Sequence, residues 1–151
     1  MEAAIVNLRR VGGSPDLRYA IALLAYAYAR MGQTQKALTM LDEALERIER
    51  TGEKHDHAEM LRVKGEVLLM GDRSATAEAE KCFCEALEVA RAQEAKWWEL
   101  RTSVSLARLL RDTNRRDEAR AMLAESYGWF TEGFDTADLK DAKALLGELS
   151  R

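Results

Sequence analysis

The sequence predicts an all-α protein built of stacked helical hairpins, and two observations carry this prediction. Ala and Leu together supply more than a quarter of the 151 residues, whereas Val and Ile total nine and proline occurs once. Alanine and leucine favour helices and β-branched residues favour strands, so this composition argues against a β-sandwich or barrel. The second observation is a pattern of small and large apolar residues that occurs three times along the chain, as expected of a repeat architecture.

The three repeats lie at residues 23–45, 63–87 and 105–127. In each segment the pattern starts at the third residue, which is small, and a large apolar residue follows three positions later. A turn comes next, and the segment then continues as Ala-x3-large-x2-small. The positions are Ala25, Gly65 and Ala107; Tyr28, Leu68 and Leu110; then Ala37/Leu41/Ala44, Ala79/Phe83/Ala86 and Ala119/Leu123/Ser126. Small residues let two antiparallel helices approach closely, and large residues fill the space beside them. One hairpin cannot bury both apolar faces, so neighbouring hairpins are expected to stack.

The helices follow in order from this pattern and from the turn residues. Gly32, Gly71 and Asn114 stand where helices should end, because glycine and asparagine best tolerate the left-handed conformation of a helix C-terminus. Asp135, Thr136 and Asp138 offer a cap for the last helix. The helices are predicted at 2–10, 16–31, 34–50, 53–70, 74–94, 95–112, 115–129 and 136–149.

A single domain over residues 1–151 is expected, with hairpins at about 16–50, 53–94 and 95–129. The segment 2–10 would be the second helix of a repeat cut at its front. The helix at about 136–149 carries one apolar stripe and should form a lid on the open end of the stack. The stripe consists of Leu139, Ala142, Leu145, Leu146 and Leu149.

The pattern resembles the tetratricopeptide repeat, whose consensus is small-x2-aromatic, then Gly, then Ala-x3-Phe-x2-Ala. This resemblance implies a right-handed superhelix of helical hairpins with a C-terminal capping helix. The repeats are 42 and 40 residues apart, measured from Ala37 to Ala79 and from Ala79 to Ala119, whereas the ordinary repeat has about 34 residues. The helices are therefore expected to be one to two turns longer than usual.

Four segments are similar to one group of bacterial signalling proteins, in which an AAA-type or STAND-type ATPase precedes helical repeats. They are ALLAYAYARMGQ, AEMLRVKGEVLL, SLARLLRD and YGWFTEGFDTADLKDAKALL. Many members also carry a class III adenylate cyclase domain, and others a DNA-binding domain. The resemblance implies that this chain corresponds to the C-terminal repeat region and that catalytic domains lie upstream. The chain itself has no G-x4-GK[ST] phosphate loop.

Charge and composition exclude several classes of partner. The formal net charge is −3, from 23 basic and 26 acidic residues, so nothing indicates nucleic-acid binding. No apolar stretch approaches the roughly 20 residues of a membrane span. Two cysteines without an export signal indicate free thiols in a reducing cytoplasm.

Neither catalysis nor a metal or other cofactor is predicted. His55 and His57 are two positions apart, as are Cys82 and Cys84, and side chains at this spacing on a helix point away from each other. The carboxylates alternate with Lys and Arg at three- and four-residue spacing, which is typical of a solvated helix face. The chain is therefore predicted not to be an enzyme.

The best candidate site is the concave face, which the first helix of each hairpin would line. The candidate partner-binding residues, one turn off the core stripe, are Tyr19, Tyr26, Arg30, Glu59, Arg62, Glu66, Arg101, Arg108 and Arg111. Tyrosine supplies contact area and a hydroxyl, and arginine binds carboxylates bidentately. This mixture suits an extended peptide or a carboxylate-bearing segment.

The sequence thus predicts a non-catalytic protein-interaction or regulatory scaffold module. Its partner would be a protein, a peptide or another domain of the parent chain. Two alternatives stay open. The region could sense a small effector and control an upstream catalytic or DNA-binding domain, or its exposed repeat ends could form a homodimer.

Overall fold

The computed structural model describes the backbone of residues 15–151 and the side chains from Tyr19 onward. The predicted helix 2–10 lies outside these residues. The described part contains seven helices: α1 (Pro15–Arg30), α2 (Thr34–Thr51), α3 (His57–Gly71), α4 (Thr76–Ala92), α5 (Lys96–Asp112), α6 (Arg116–Gly128) and α7 (Ala137–Leu149). None of these helices is both long and apolar enough to cross a bilayer.

The helices pack as sequential hairpins. Consecutive helices contact one another from α1 to α7, and α1 also contacts α3, α3 contacts α5, and α5 contacts α7. The outer helices α2, α4 and α6 do not pack against each other as the odd-numbered helices do. The odd-numbered helices therefore lie on the inner side of a curved stack, and α7 covers its end. The predicted all-α superhelix of hairpins with a capping helix is confirmed.

The largest difference in helix bounds is at the start of α3, which begins at His57 and not at residue 53. Gly52 ends α2 in the left-handed conformation with φ 71°, and its N–H donates to the Ile48 carbonyl. Residues 53–56 form the connection, and the His57 N–H donates to the Lys54 carbonyl at 3.1 Å. The four residues that periodicity alone assigns to the start of the helix therefore belong to the connection between α2 and α3.

Two of the three expected left-handed turns are present. Gly32 has φ 80° and Asn114 has φ 63°. The following N–H groups, of Gln33 and Arg115, donate to carbonyls five residues back at 2.9 and 2.7 Å, the bond that closes a Schellman motif.

The expectation for Gly71 is wrong, because it is the last residue of α3 and the extended Asp72 follows it. A Cβ at Gly71 would lie 2.5 Å from the Thr34 side chain. Glycine is needed here for close packing of α3 on the start of α2 and not for its backbone freedom.

The small and large positions of the repeats form the core. Five small residues of the pattern are fully buried: Ala25, Ala37, Ala79, Ala107 and Ala119. The buried large residues of the pattern are Tyr28, Leu41, Phe83, Leu110 and Leu123. The tightest contact is at Gly65, where a Cβ would meet the Phe83 ring at 2.5 Å.

We predict that Gly65→Ala destabilises the protein. The added methyl group must displace the buried Phe83 ring, which costs about 1–3 kcal/mol, and the helix propensity of alanine returns only about 1 kcal/mol. Urea unfolding followed by circular dichroism measures the change. Gly147→Ala is the matched control, because Gly147 lies in α7 with nothing within 4 Å of its Cβ position, and it should gain about 0.5–1 kcal/mol. Equal effects of the two substitutions would contradict the packing argument.

Candidate functional site

A groove of about 340 Å³ lies on the inner face between α1, α3, α5 and the capping helix α7. Its wall on α1 contains the exposed Leu23 beside Tyr26. The opposite wall is formed by charged side chains of α3, α5 and α7. The lining residues are Ala22, Leu23, Tyr26, Glu59, Arg62, Val63, Glu66, Arg101, Val104, Ser105, Arg108, Asp138 and Asp141.

The structure brings six of the nine predicted site residues together in this groove: Tyr26, Glu59, Arg62, Glu66, Arg101 and Arg108. Arg111 lies apart, in a separate cavity of about 450 Å³ that Leu69 and Arg73 also line. Arg30 is exposed at the end of α1 and does not line the groove.

The third residue outside the lining is Tyr19, which marks the edge of the groove. Its ring stacks on Trp98 with 6.1 Å between centroids. The guanidinium of Arg101 lies over the ring of Trp98, 5.7 Å from its centroid. These contacts connect the first hairpin to the third across the inner face.

Glu59 is the centre of the charged wall and is only 2% exposed. Arg62 donates to both of its carboxylate oxygens, from Nε at 2.9 Å and from Nη2 at 2.7 Å. Arg101 on α5 reaches the same carboxylate at 2.9 Å. One buried carboxylate thus holds two guanidinium groups and joins α3 to α5.

Burial is the largest single influence on the pKa of Arg62 and lowers it. The hydrogen bond and the charge of Glu59, together with the charges of Glu66 and Asp138, outweigh burial and leave the pKa of Arg62 above its ordinary value. Arg62 therefore stays charged at every accessible pH, as arginine generally does.

A second part of the network runs from Arg62 to Glu66 through Ser105. Arg62 Nη1 donates to Ser105 Oγ at 3.2 Å, and Ser105 Oγ donates to Glu66 Oε1 at 2.7 Å. Arg62 also lies 3.6 Å from the Glu66 carboxylate. Ser105 is nearly buried, so its hydroxyl fixes the spacing of the charged groups.

The capping helix supplies two further carboxylates. Asp141 accepts hydrogen bonds from Arg108 Nη2 at 2.8 and 2.7 Å, and Asp138 lies 3.6 Å from Arg101. Both pairs are substantially exposed. From the sequence, Asp138 is expected only to help cap the last helix. In the structure Thr136 is the residue at the cap position of α7, and its side chain makes no capping hydrogen bond.

Arg111 and the acidic end of α7 repeat this arrangement outside the groove. Arg111 Nη1 donates to the Glu148 carboxylate at 3.0 Å, and Arg111 Nε donates to Asp112 at 2.9 Å. Every arginine predicted for the inner face of α3 and α5 therefore already has a carboxylate partner. The acids of α7 could not be found from the sequence, because their spacing along α7 differs from that of their arginine partners along α5.

The groove is charge-balanced to within one unit, because four carboxylates face three guanidinium groups. Such a surface offers apolar contact at Leu23 and Tyr26 and polar contact along the opposite wall. The described residues contain no group of three or more His, Cys, Asp or Glu side chains that could hold a metal ion. The groove therefore combines apolar contact area with a fixed pattern of polar groups.

Comparison with known families gives two matches. A family model described as "Tetratricopeptide repeat" matches residues 17–92, and a second model with the same description matches residues 100–127. Together they cover the three hairpins. Neither model describes a catalytic family, and neither extends to an ATPase or a cyclase. No curated protein sequence is significantly similar to the chain.

We predict that Glu59→Gln destabilises the fold through the charges it leaves behind. The substitution preserves shape but leaves Arg62 and Arg101, which are 13% and 23% exposed, without their shared countercharge. Removing one partner of a buried pair costs about 3–5 kcal/mol, and partial solvation should reduce this to about 2–3 kcal/mol. Urea unfolding measures the loss.

Asp141→Asn is the control for this experiment, since it breaks the exposed pair with Arg108 and should cost no more than about 1 kcal/mol. If both variants unfold at the wild-type urea concentration, the Glu59 network does not hold α3 to α5.

Proposed function

Since the chain belongs to the tetratricopeptide-repeat family, we propose that its concave groove binds an extended segment of a partner protein. Tetratricopeptide repeats are generally protein-interaction scaffolds and are typically non-catalytic. The observation that carries the proposal is the groove itself, in which the exposed Leu23 and Tyr26 face a rigid charged wall. An exposed large apolar side chain within a concave polar surface is a usual feature of an interaction site.

The ion pairs in the groove favour one kind of segment over another. A carboxylate-rich partner would need free guanidinium groups, but Arg62, Arg101 and Arg108 are each bonded to carboxylates of this chain. A segment bound through an apolar side chain against Leu23 and through its backbone polar groups needs no exchange of these pairs. The charge balance therefore favours an extended, weakly charged segment.

The shape of the groove also favours a peptide over a small effector. Small-molecule sites are mostly apolar and bury most of their ligand's surface. This groove is open along one side, and seven of its thirteen lining residues are charged. A small-effector sensor thus remains the second candidate, supported only by the similarity of the chain to repeat regions of signalling proteins.

We further propose that the chain is the C-terminal repeat region of a larger signalling protein with an ATPase or adenylate cyclase domain. The support is the resemblance of residues 22–33, 58–69, 105–112 and 127–146 to that group. In this arrangement the groove could bind another domain of the same chain. The genomic reading frame upstream of Met1 tests this: an ATPase domain in frame supports it, and a stop codon immediately upstream contradicts it.

Two further points of the proposal concern assembly and compartment. The free thiols of Cys82 and Cys84 support a reducing compartment such as the cytoplasm. Leu23 on α1 and Met31 in the turn after it are 54% and 58% exposed, which supports self-association through the front of the stack as an alternative use of this surface.

The test of the groove is selection of binding sequences from a phage-displayed library of random peptides, followed by fluorescence anisotropy with the selected peptides. We expect Leu23→Ser to weaken binding by roughly ten-fold, because a buried leucine contributes about 1.5–3 kcal/mol. The circular dichroism spectrum should not change, since Leu23 is exposed in the free protein.

Met31→Ser is the matched control, because Met31 is equally exposed in the turn that follows α1 but does not line the groove. Its affinity for the peptides should equal that of the wild type. If Leu23→Ser retains full affinity, or if Met31→Ser weakens binding equally, the concave groove is not the binding site. Sedimentation over a concentration series separates self-association from peptide binding.

A further inference from the structure

The outer face of the stack contains a second groove, between the outer helices of the first two hairpins. Because α2 and α4 do not pack against each other as the inner helices do, a gap of about 620 Å³ is left between them, with α3 as its floor. Leu45, Leu61 and Val89 line this gap together with polar residues. It lies on the opposite side of α3 from the concave groove and shares no lining residue with it.

Carboxylates form both rims of this outer groove. Asp42, Glu46 and Glu49 recur along α2 at helical spacing, and Glu85 and Glu88 do so on α4. Side chains three and four positions apart lie on the same face of a helix. The groove therefore has an apolar floor between two parallel acidic edges.

The described residues do not neutralise the charges of the outer groove, in contrast to those of the concave groove. Lys64 pairs with Asp42 at 2.7 Å. Glu46, Glu49, Glu85 and Glu88 make no salt bridge or side-chain hydrogen bond within the described part of the chain. With His57 neutral, the lining residues carry a formal charge of −4, against −3 for the whole chain. The net negative charge of the protein is concentrated here.

The floor of the outer groove also contains an unsatisfied polar atom. His57 Nδ1 is buried and has no hydrogen-bond partner. Burial, and then the charge of Lys54, lower the pKa of His57 despite the opposing charges of Glu49 and Glu85. The imidazole is therefore neutral near pH 7 and leaves the surrounding acidic charge uncompensated.

We propose that the outer groove binds a cationic amphipathic segment of a partner protein. Its apolar side chains would pack on Leu45, Leu61 and Val89, and lysine or arginine side chains on both edges would pair with the free carboxylates of α2 and α4. Charge complementarity selects this occupant, since an acidic or neutral segment would leave the four carboxylates unpaired. The proposal is independent of the concave groove and of any partner bound there.

The experiment uses the full chain and a fluorescently labelled synthetic peptide in which lysines flank a leucine stripe at helical spacing. A second peptide of the same composition has its leucines dispersed. Anisotropy measures the affinity of both. We expect the striped peptide to bind more tightly, and Glu46→Gln combined with Glu88→Gln to weaken its binding about three- to ten-fold, the value of two exposed ion pairs.

Two controls decide between the outcomes. Glu125→Gln combined with Glu132→Gln removes the same charge at exposed positions outside the groove and should leave the affinity unchanged. Leu23→Ser alters the concave groove and should also have no effect. Equal binding of both peptides, equal weakening by the two double variants, or weakening by Leu23→Ser would each overturn the proposal. All these positions are exposed, so folding of the variants is expected and is checked by circular dichroism.

Discussion

The close approach of helices at the small residues of each repeat is the constraint on which the rest of the structure depends. At Gly65 the approach is so close that no Cβ could be placed without displacing Phe83. Such contacts join an inner helix to an outer one, here α3 to α4. The inner helices also contact one another, whereas the outer helices lack comparable contacts with one another. The resulting curvature creates the concave groove and also the gap between α2 and α4. Both candidate surfaces are thus consequences of one packing rule.

Because Arg62 and Arg101 pair with the buried carboxylate of Glu59, these two arginines of the inner face stabilise the fold whether or not a partner is bound. A carboxylate that is only 2% exposed is tolerated because Arg62 and Arg101 supply its countercharge and hydrogen bonds. These groups cannot be given to a ligand without leaving a buried charge unpaired. Arg108 is different, since its pair with Asp141 is exposed and costs little to break. For a partner bound as proposed, the polar groups of the groove would set its position and apolar contact would provide most of the binding energy.

The sequence predicted what depends on local periodicity and missed what depends on tertiary placement. Helix bounds agree within four residues, and the small and large repeat positions are in the core. The turn at Glu94 carries no sequence signal, yet its left-handed φ of 54° closes the same motif as Gly32 and Asn114. Asp138 and Asp141 were missed as groove residues because their partners lie on α5, more than thirty residues away. Ion pairing across a stack is set by the register of the helices, which no local pattern contains.

The two faces of the stack differ in local charge, although the net charge of the chain does not indicate this. On the inner face four carboxylates lie against three guanidinium groups, so the net charge of the groove is close to zero. On the outer face four carboxylates make no ion pair with any described residue and lie beside an apolar floor, so this surface is negative and attracts cations. A chain-wide charge of −3 gives no indication of a polyanionic partner, and it cannot distinguish these faces. The helix α3 contributes to both faces, through Glu59 and Arg62 on one side and His57 and Lys64 on the other, so a single helix carries residues of both proposed binding surfaces.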